Sequence, residues 1–458
     1  MRRTLTVLIA LICSFLPAAP ALAADELRSA EVTFRGGGGL ELRGTVLTPA
    51  GATGPLPGMV LVHGSGAGTP RAKLRTEAEA FARQGMAVLI YDKRAEGYSL
   101  TRRDYGELAD DALAAHAALR SSPGVAPDKV GIWGLSEGGW VAPLAASRSK
   151  QVAFVVIVGG NAMEPLRQQT WAVAAGLRKA GVTGQVPDRG VPAFYRFLAG
   201  AGMFPMPWHD AQAVLAKVGQ PMLGIWGAHD LLTPPQETPG LLARGLKHDR
   251  YTLRYFPGAD HAAHLTFDGG VTRDPRLAPG YPEAVGTWVK RVTSGDLPSA
   301  ETVGDLPRQA SLTVPVPPAA FWESAFVQVL ALVVFLVAFA GYPVWALVRR
   351  VRGRSVQGVW PARVLALGAP LSAFGAVAYL MYSVISGGKL ASPGPVVAGR
   401  PVIWLLFQVL AVAALVAAAF LVPVARRARR SERVRLGALL TGAVVFLLWA
   451  LYWGVLLP

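Results

Sequence analysis

The sequence predicts an α/β chain in which a doubly wound, mostly parallel sheet carries a helical cap insertion and is followed by an all-α bundle of four transmembrane spans. Three observations carry this reading. Short runs that are apolar on both faces alternate with longer amphipathic stretches through residues 24–293. Four uninterrupted apolar stretches of 22 to 24 residues follow residue 320. The charge is shared unequally between these two halves. Runs apolar on both faces suit strands covered by helices on either side, and apolar stretches of this length cross a hydrocarbon layer of about 30 Å.

The charge decides between two classes of partner. The 458 residues hold 45 Lys and Arg against 29 Asp and Glu, a net charge of +16, with 52% hydrophobic and 16% charged residues. That composition excludes a disordered chain. Residues 319–458 hold 13 of the bases and two acids, Glu323 and Glu432, a balance of +11. The other 32 bases and 27 acids leave only +5 for residues 1–318. The excess therefore sits between the most apolar stretches, where it orients helices in a membrane, and no nucleic-acid partner is expected.

In chain order, residues 1–23 read as a secretory signal peptide. Arg2 and Arg3 precede the apolar Leu5–Leu16, and Ala21-Leu22-Ala23 supplies the small-residue cleavage pattern, so the mature chain is expected to begin at Ala24. The single cysteine, Cys13, lies within this leader, which leaves no thiol for a disulfide, a nucleophile or a metal site. Glu31–Phe34 and Leu40–Leu47 flank the glycine run Gly36–Gly39 and predict an antiparallel hairpin at the sheet edge. Val60–Val62, Val88–Ile90, Val130–Trp133, Phe154–Val158, Leu223–Trp226 and Tyr251–Phe256 are the predicted strands, with helices over Ala72–Arg83 and Glu107–Leu119 between them. Asn161–Gly219 is too long for a simple crossover and reads as an inserted cap. The predicted sheet domain is residues 24–293, with the cap at about residues 161–219. Residues 294–320, with Pro298, Pro307, Pro315, Pro317 and Pro318, predict an extended tether.

Residues 321–458 form the predicted membrane module, with spans at Phe326–Val348, Val364–Ile385, Pro401–Val424 and Leu436–Leu457. Five arginines occupy the first loop (Arg349, Arg350, Arg352, Arg354, Arg363) and six the third (Arg426, Arg427, Arg429, Arg430, Arg433, Arg435), against Lys389 and Arg400 in the second. Positive loops stay in the cytoplasm, so the sheet domain is expected outside it, in the cell or inner membrane's extracytoplasmic space. The span interiors lack Asp, Glu, Lys, Arg and His, which argues against a pump or proton-coupled carrier. Gly368 and Ser372, four apart, are a candidate point of close helix approach.

The chemistry is concentrated in loops after strands. Gly134-Leu135-Ser136-Glu137-Gly138-Gly139 follows one predicted strand and opens a helix, so Ser136 is expected on a sharp turn with its hydroxyl exposed near a helix N-terminus. A serine hydroxyl needs a base. Among His63, His116, His209, His229, His248, His261 and His264, the loop directly after the last predicted strand favours His261, with His264 as the reserve. The base needs a carboxylate to fix its tautomer, and Asp230, leaving the preceding strand in Trp226-Gly227-Ala228-His229-Asp230, is the candidate ahead of Asp260. His63-Gly64-Ser65-Gly66 brings glycines close to the reacting carbonyl, so the backbone N–H groups of Ser65 and Glu137 are expected to bind the oxyanion at roughly 3 kcal/mol each. A dinucleotide fingerprint fails, because Thr69 stands where a third glycine is required. No H-E-x-x-H occurs, and neither a metal nor a cofactor is expected.

Val60–Gly66, Tyr91-Asp92-Lys93-Arg94, Gly134–Gly139, Gly227–Asp230 and Gly258–His261 together resemble the α/β-hydrolase superfamily, in particular its dienelactone-hydrolase-like and prolyl-oligopeptidase-like bacterial members. The resemblance implies a catalytic triad of Ser136, Asp230 and His261 and an oxyanion hole at Ser65 and Glu137. It covers residues 31–292 and leaves the four-span module without a counterpart. The function expected is a membrane-tethered extracytoplasmic serine hydrolase, carboxylesterase- or lipase-like, cleaving an ester through an acyl-enzyme. Its expected partners are a small-molecule or lipid-like acyl substrate and membrane lipid. Cap residues Met163, Trp171, Phe194, Tyr195, Phe197, Met203, Phe204, Met206 and Trp208 either line an acyl pocket or pack the cap on the sheet. The rival readings are a serine peptidase of aminopeptidase or prolyl-oligopeptidase type, an envelope acyltransferase, and a non-enzymatic membrane receptor or scaffold. For the peptidase, Glu164 is a lone acidic candidate to hold a substrate's amino group.

Overall fold

The computed structural model describes residues 26–99, 101–354, 356, 358–386 and 393–457. The expected leader with Cys13, and Lys389 of the second bundle loop, lie outside the described residues. The first strands, β1 (Leu27–Arg35) and β2 (Glu41–Pro49), form the expected antiparallel hairpin, with Arg35 opposite Glu41. Gly38 and Gly39 in its turn have φ of 69° and 80°, a region that side-chain-bearing residues rarely adopt. The remaining strands are β3 (Leu56–Val62), β4 (Ala87–Tyr91), β5 (Val125–Leu135), β6 (Val155–Val158), β7 (Met222–Gly227), β8 (Tyr251–Phe256) and β9 (Glu301–Val303). Among the described residues they form one sheet, ordered β1-β2-β4-β3-β5-β6-β7-β8-β9, parallel from β4 to β9.

Alternation within these strands explains why they read as continuous apolar runs. Val60 and Val62 of β3, with Leu89 of β4, face the layer made by α2 (Tyr105–Arg120), α3 (Gly138–Arg148) and, further along the sheet, α7 (Thr238–Gly245). Met59, Leu61, Val88 and Ile90 face the opposite layer, containing α1 (Arg75–Arg83) and α8 (Tyr281–Thr293). From β3 the chain moves to β4 on one side and then to β5 on the other, so the strand order reverses between β3 and β5. In open α/β sheets the crevice at the carboxyl ends of such a pair is where ligands bind.

The expected extended tether is not free. Glu301–Val303 pairs parallel to β8 and adds a ninth strand beyond the expected last one, held by Arg291 Nη1 at 2.6 Å from Glu301 Oε1. Three residues are too few for a strand period to show in sequence. The chain then runs along the cap, which consists of α4 (Pro165–Lys179), a π-helical turn at Val186–Gly190, α5 (Val191–Gly200) and α6 (Ala211–Leu215). Trp171 Nε1 donates to Ser311 O at 2.8 Å, Arg167 Nε to Thr313 Oγ1 at 2.8 Å, and Trp208 Nε1 to Val316 O at 3.2 Å.

Four helices among the described residues are long and apolar enough to cross a membrane: α9 (Ala325–Val351), α10 (Trp360–Ile385), α11 (Val402–Arg427) and α12 (Arg430–Tyr452). Gly368 and Ser372 bring α10 against α11, with Ser372 Oγ donating to Phe407 O at 2.8 Å. A methyl group at Gly368 would stand 3.2 Å from Leu410 O.

The cap and the bundle share one apolar core. Leu166, Val191, Phe194 and Tyr195 are buried together with Phe335, Leu380, Trp404 and Trp453. Phe194 and Phe197 each lie 6.3 Å from Trp453, centroid to centroid. Arg196 pairs with Glu323 at 2.6 Å, Arg189 Nε donates to Tyr452 O, and Thr183 N donates to Gly399 O. The cap thus meets the ends of the bundle opposite the two arginine-rich loops. This corrects the expected use of the cap aromatics: Phe194, Tyr195, Phe197 and Phe204 belong to the core shared with the bundle, while Met206 packs with the sheet core. The partner surface lies more than a hundred residues away in sequence, beyond the reach of any local pattern.

Candidate active site

The segment after β5 is bent by its glycines. Ser136 has φ of 57°, an uncommon value for a side-chain-bearing residue, and sits between the last strand residue and the first turn of α3. Gly134 lies against the Gly138 carbonyl so closely that no side chain fits, and a methyl at Gly138 would stand 2.7 Å from Val62 O. Backbone strain of this kind is held by its surroundings and concentrates where a side chain must be aimed. Ser136 N donates to Val158 O at 2.9 Å, which ties the turn to the end of β6.

Asp230 and His261 leave the ends of β7 and β8 and meet. His261 Nδ1 lies 3.0 Å and 2.9 Å from the two carboxylate oxygens of Asp230. Asp230 is 3% exposed, and its Oδ1 also accepts from Leu232 N and Thr233 N at 2.8 Å each, so its direction is fixed. Thr233 Oγ1 donates to Gly159 O, and Asn161 Nδ2 donates to Thr233 Oγ1, which binds this loop to the end of β6. The imidazole rests on Gly159, where a methyl would stand 2.6 Å from Nδ1 and 2.7 Å from Cε1. Gly159 follows Val158, the acceptor for Ser136 N, so the ring lies one strand over from the serine. His261 Nε2 is buried with no hydrogen-bond partner among the described residues, and no hydrogen bond joins it to Ser136. Such contacts are often long until substrate tightens them.

The loop after β3 completes the site. Gly64 abuts the serine, since a methyl there would stand 3.3 Å from Ser136 Cβ. Neither Ser65 N–H nor Glu137 N–H is matched to a protein acceptor among the described residues. The Glu137 side chain turns inward. Lys93 Nζ lies 2.5 Å from its Oε1, Arg103 Nη1 2.7 Å from its Oε2, and Tyr98 donates its hydroxyl at 2.8 Å. Lys93 Nζ also donates to Gly64 O at 2.6 Å, and Gly66 N donates to Tyr98 Oη at 3.2 Å. Burial lowers the Lys93 ammonium pKa against the opposing pull of Glu137, and raises that of the Tyr98 phenol. Sequence reasoning missed Lys93, Tyr98 and Arg103. The available signal was a lysine two residues after a buried strand and a glutamate directly after the serine.

The other histidines have structural partners or are remote. His63 donates from Nε2 to Tyr91 O at 2.8 Å, and burial lowers its pKa to about 4. His264, the reserve base, is buried and held elsewhere, its Nε2 2.9 Å from Glu77 Oε1 on α1 and its Nδ1 3.1 Å from Asp274 O. Asp260 is committed to Arg273 Nε at 2.6 Å and to the N–H groups of Ala262 and His264. Burial alone would raise its pKa, and these partners hold it low. His229 is exposed.

A serine strained at the end of β5, with an acid after β7 and a histidine after β8, is the chain order of one architecture. The sheet-bearing half has the α/β-hydrolase fold. Residues 72–272 of this chain match the model of the prolyl oligopeptidase family. Thiohydrolase aneE of Aspergillus aculeatus is 33% identical over 138 residues, 29% of this chain and 42% of the relative. Polyketide transferase claH of Penicillium crustosum is 32% identical over 133 residues, 28% of this chain and 43% of the relative. The chain thus spans under half the length of these curated relatives. Dienelactone hydrolase from Anabaena variabilis is 22% identical, with a TM-score of 0.36 over 59% of this chain and 99% of that one.

Proposed function

We propose that this chain is a membrane-anchored serine hydrolase that cleaves an ester-type acyl bond through an acyl-enzyme. Ser136 is the nucleophile, His261 the base that takes and returns its proton, and Asp230 the carboxylate that holds the imidazole. The N–H groups of Ser65 and Glu137 receive the oxyanion. The observation that carries this reading is the Asp230–His261 pair, which fixes the Nδ1 proton and leaves Nε2 buried without a partner, the ring resting on Gly159 next to the Val158 carbonyl that holds the Ser136 turn.

Glu137 cannot hold a substrate's amino group, since its oxygens are already taken by Lys93, Tyr98 and Arg103, and Glu164 is exposed. These facts favour an acyl ester over the N-terminus of a peptide. The names of the two curated relatives extend the class to thioesters and to acyl transfer, which use the same groups. The arginine-rich loops, opposite the cap, favour a hydrolase domain outside the cytoplasm, with substrate drawn from small or lipid-like acyl compounds near the membrane.

A fluorophosphonate probe applied to the full-length protein in detergent tests the reading. Labelling at Ser136, lost in Ser136→Ala with folding retained, is expected. A folded wild type that takes no label and turns over no ester or thioester overturns it.

A further inference from the structure

Gly64 and Ser65 share one peptide unit, and this makes the buried lysine more than a neighbour of the site. The peptide is trans, so its C=O and N–H point in opposite directions. Whatever holds the Gly64 carbonyl therefore aims the Ser65 N–H. Gly64 lacks a side chain and lies within van der Waals reach of Ser136, so steric packing alone does not fix that plane. Lys93 Nζ, 2.6 Å from Gly64 O, holds the carbonyl, and it is itself held at 2.5 Å by Glu137 Oε1. Glu137 supplies the second unmatched N–H from its own backbone. The lysine thus closes a ring, from Ser65 N–H through the peptide to Gly64 O, Lys93, the Glu137 side chain and the Glu137 N–H.

We infer that Lys93 is the positioning residue of the oxyanion hole, setting the direction of the Ser65 N–H and its spacing from the Glu137 N–H. This rests on the hydrolase reading above. A cation on the carbonyl oxygen also draws charge from the amide and makes its N–H a stronger donor. Both side chains are nearly inaccessible, at 5% and 2% exposure, so the pair is not a substrate-binding charge. Tyr98 braces the same ring, joining Gly66 N–H to Glu137. The effect falls on the tetrahedral intermediate, whose oxyanion needs both donors, and hardly on the ground-state ester.

The test is steady-state hydrolysis of a p-nitrophenyl ester by the full-length protein in detergent, with Ser136→Ala as the blank. In Lys93→Met, kcat is expected to fall about 10²-fold with KM held within about threefold, the loss typical of one oxyanion donor. In Lys93→Ala, added ethylammonium is expected to restore part of kcat. Glu137→Gln keeps Tyr98 and Arg103 as neighbours but removes the lysine's counter-charge, and a loss of about tenfold in kcat is expected. It serves as the second arm should Lys93→Met not fold. Wild-type kcat in a folded Lys93 variant or in Glu137→Gln, or a rise in KM with kcat unchanged, overturns the positioning role alone. A wild type that hydrolyses nothing overturns the hydrolase reading, and the positioning role with it.

Discussion

His261 Nδ1 lies 2.9 Å from Asp230 Oδ2, while the opposite nitrogen of the same ring is buried without a partner. A carboxylate on one side requires the proton there and leaves Nε2 free to accept one. Asp230→Asn reverses this, because an amide can donate to Nδ1 and stabilise the tautomer with its proton on Nε2. The expected result is a fall in kcat of about 10⁴ with KM little changed. Stopped-flow or steady-state ester hydrolysis measures it, and a kcat within tenfold of wild type would refute the assigned acid.

His264 separates structure from chemistry. Its Nε2 faces Glu77 Oε1 at 2.9 Å, and both residues are buried. His264→Ala strands the Glu77 carboxylate, which costs about 3 kcal/mol, whereas its direct effect on turnover is small. A denaturant or thermal melt reads the first, and kcat of the folded fraction reads the second. Turnover lost in His264→Ala but kept in His261→Ala would exchange their roles.

His63 gives a pH-dependent signature. Burial holds its pKa at about 4, despite the Tyr91 carbonyl that pulls the other way, against about 6.5 in the unfolded chain. Between these values the unfolded chain binds a proton that the folded chain does not. Stability therefore falls as pH drops from about 6.5 to about 4, by at most about 3 kcal/mol, and this contribution levels off below. His63→Asn reduces the slope in that window, to which His116, His209 and His248, their pKa values also lowered by burial, contribute, at some cost to stability near neutral pH. Melts of the two proteins between pH 4 and 7.5 compare them, and identical slopes would contradict the assignment.

Ending the chain at Pro318 removes the bundle from the apolar face of the cap. Leu166, Val191, Phe194 and Tyr195 are buried in the shared core and would meet water. The truncated protein is expected to self-associate on size-exclusion chromatography without detergent. A monodisperse, soluble monomer would show that the shared core is dispensable.

The sheet and the candidate site residues were legible in the sequence for a common reason. Gly134–Gly138 and Trp226–Asp230 are contiguous stretches in which local backbone demands and chemistry coincide, and the apolar strand runs need no distant partner to be recognised. What joins the parts was not legible. The Lys93–Glu137 contact spans 44 residues and the Arg196–Glu323 pair 127. No spacing rule links such positions. The docking of the cap on the bundle was hidden because aromatics on α5 look alike whether they face a sheet, a ligand or another helix.

The shared core also changes what the cap can do. A lid hinged on loops opens by separating from one surface. Here that same movement would tear apart an apolar interior running on into α9–α12. Entry must therefore use a gap already present at rest, or the four helices must tilt along with the lid. In the second case, on the function proposed above, bilayer thickness, which biases helix tilt, becomes a control on how readily acyl chains reach Ser136.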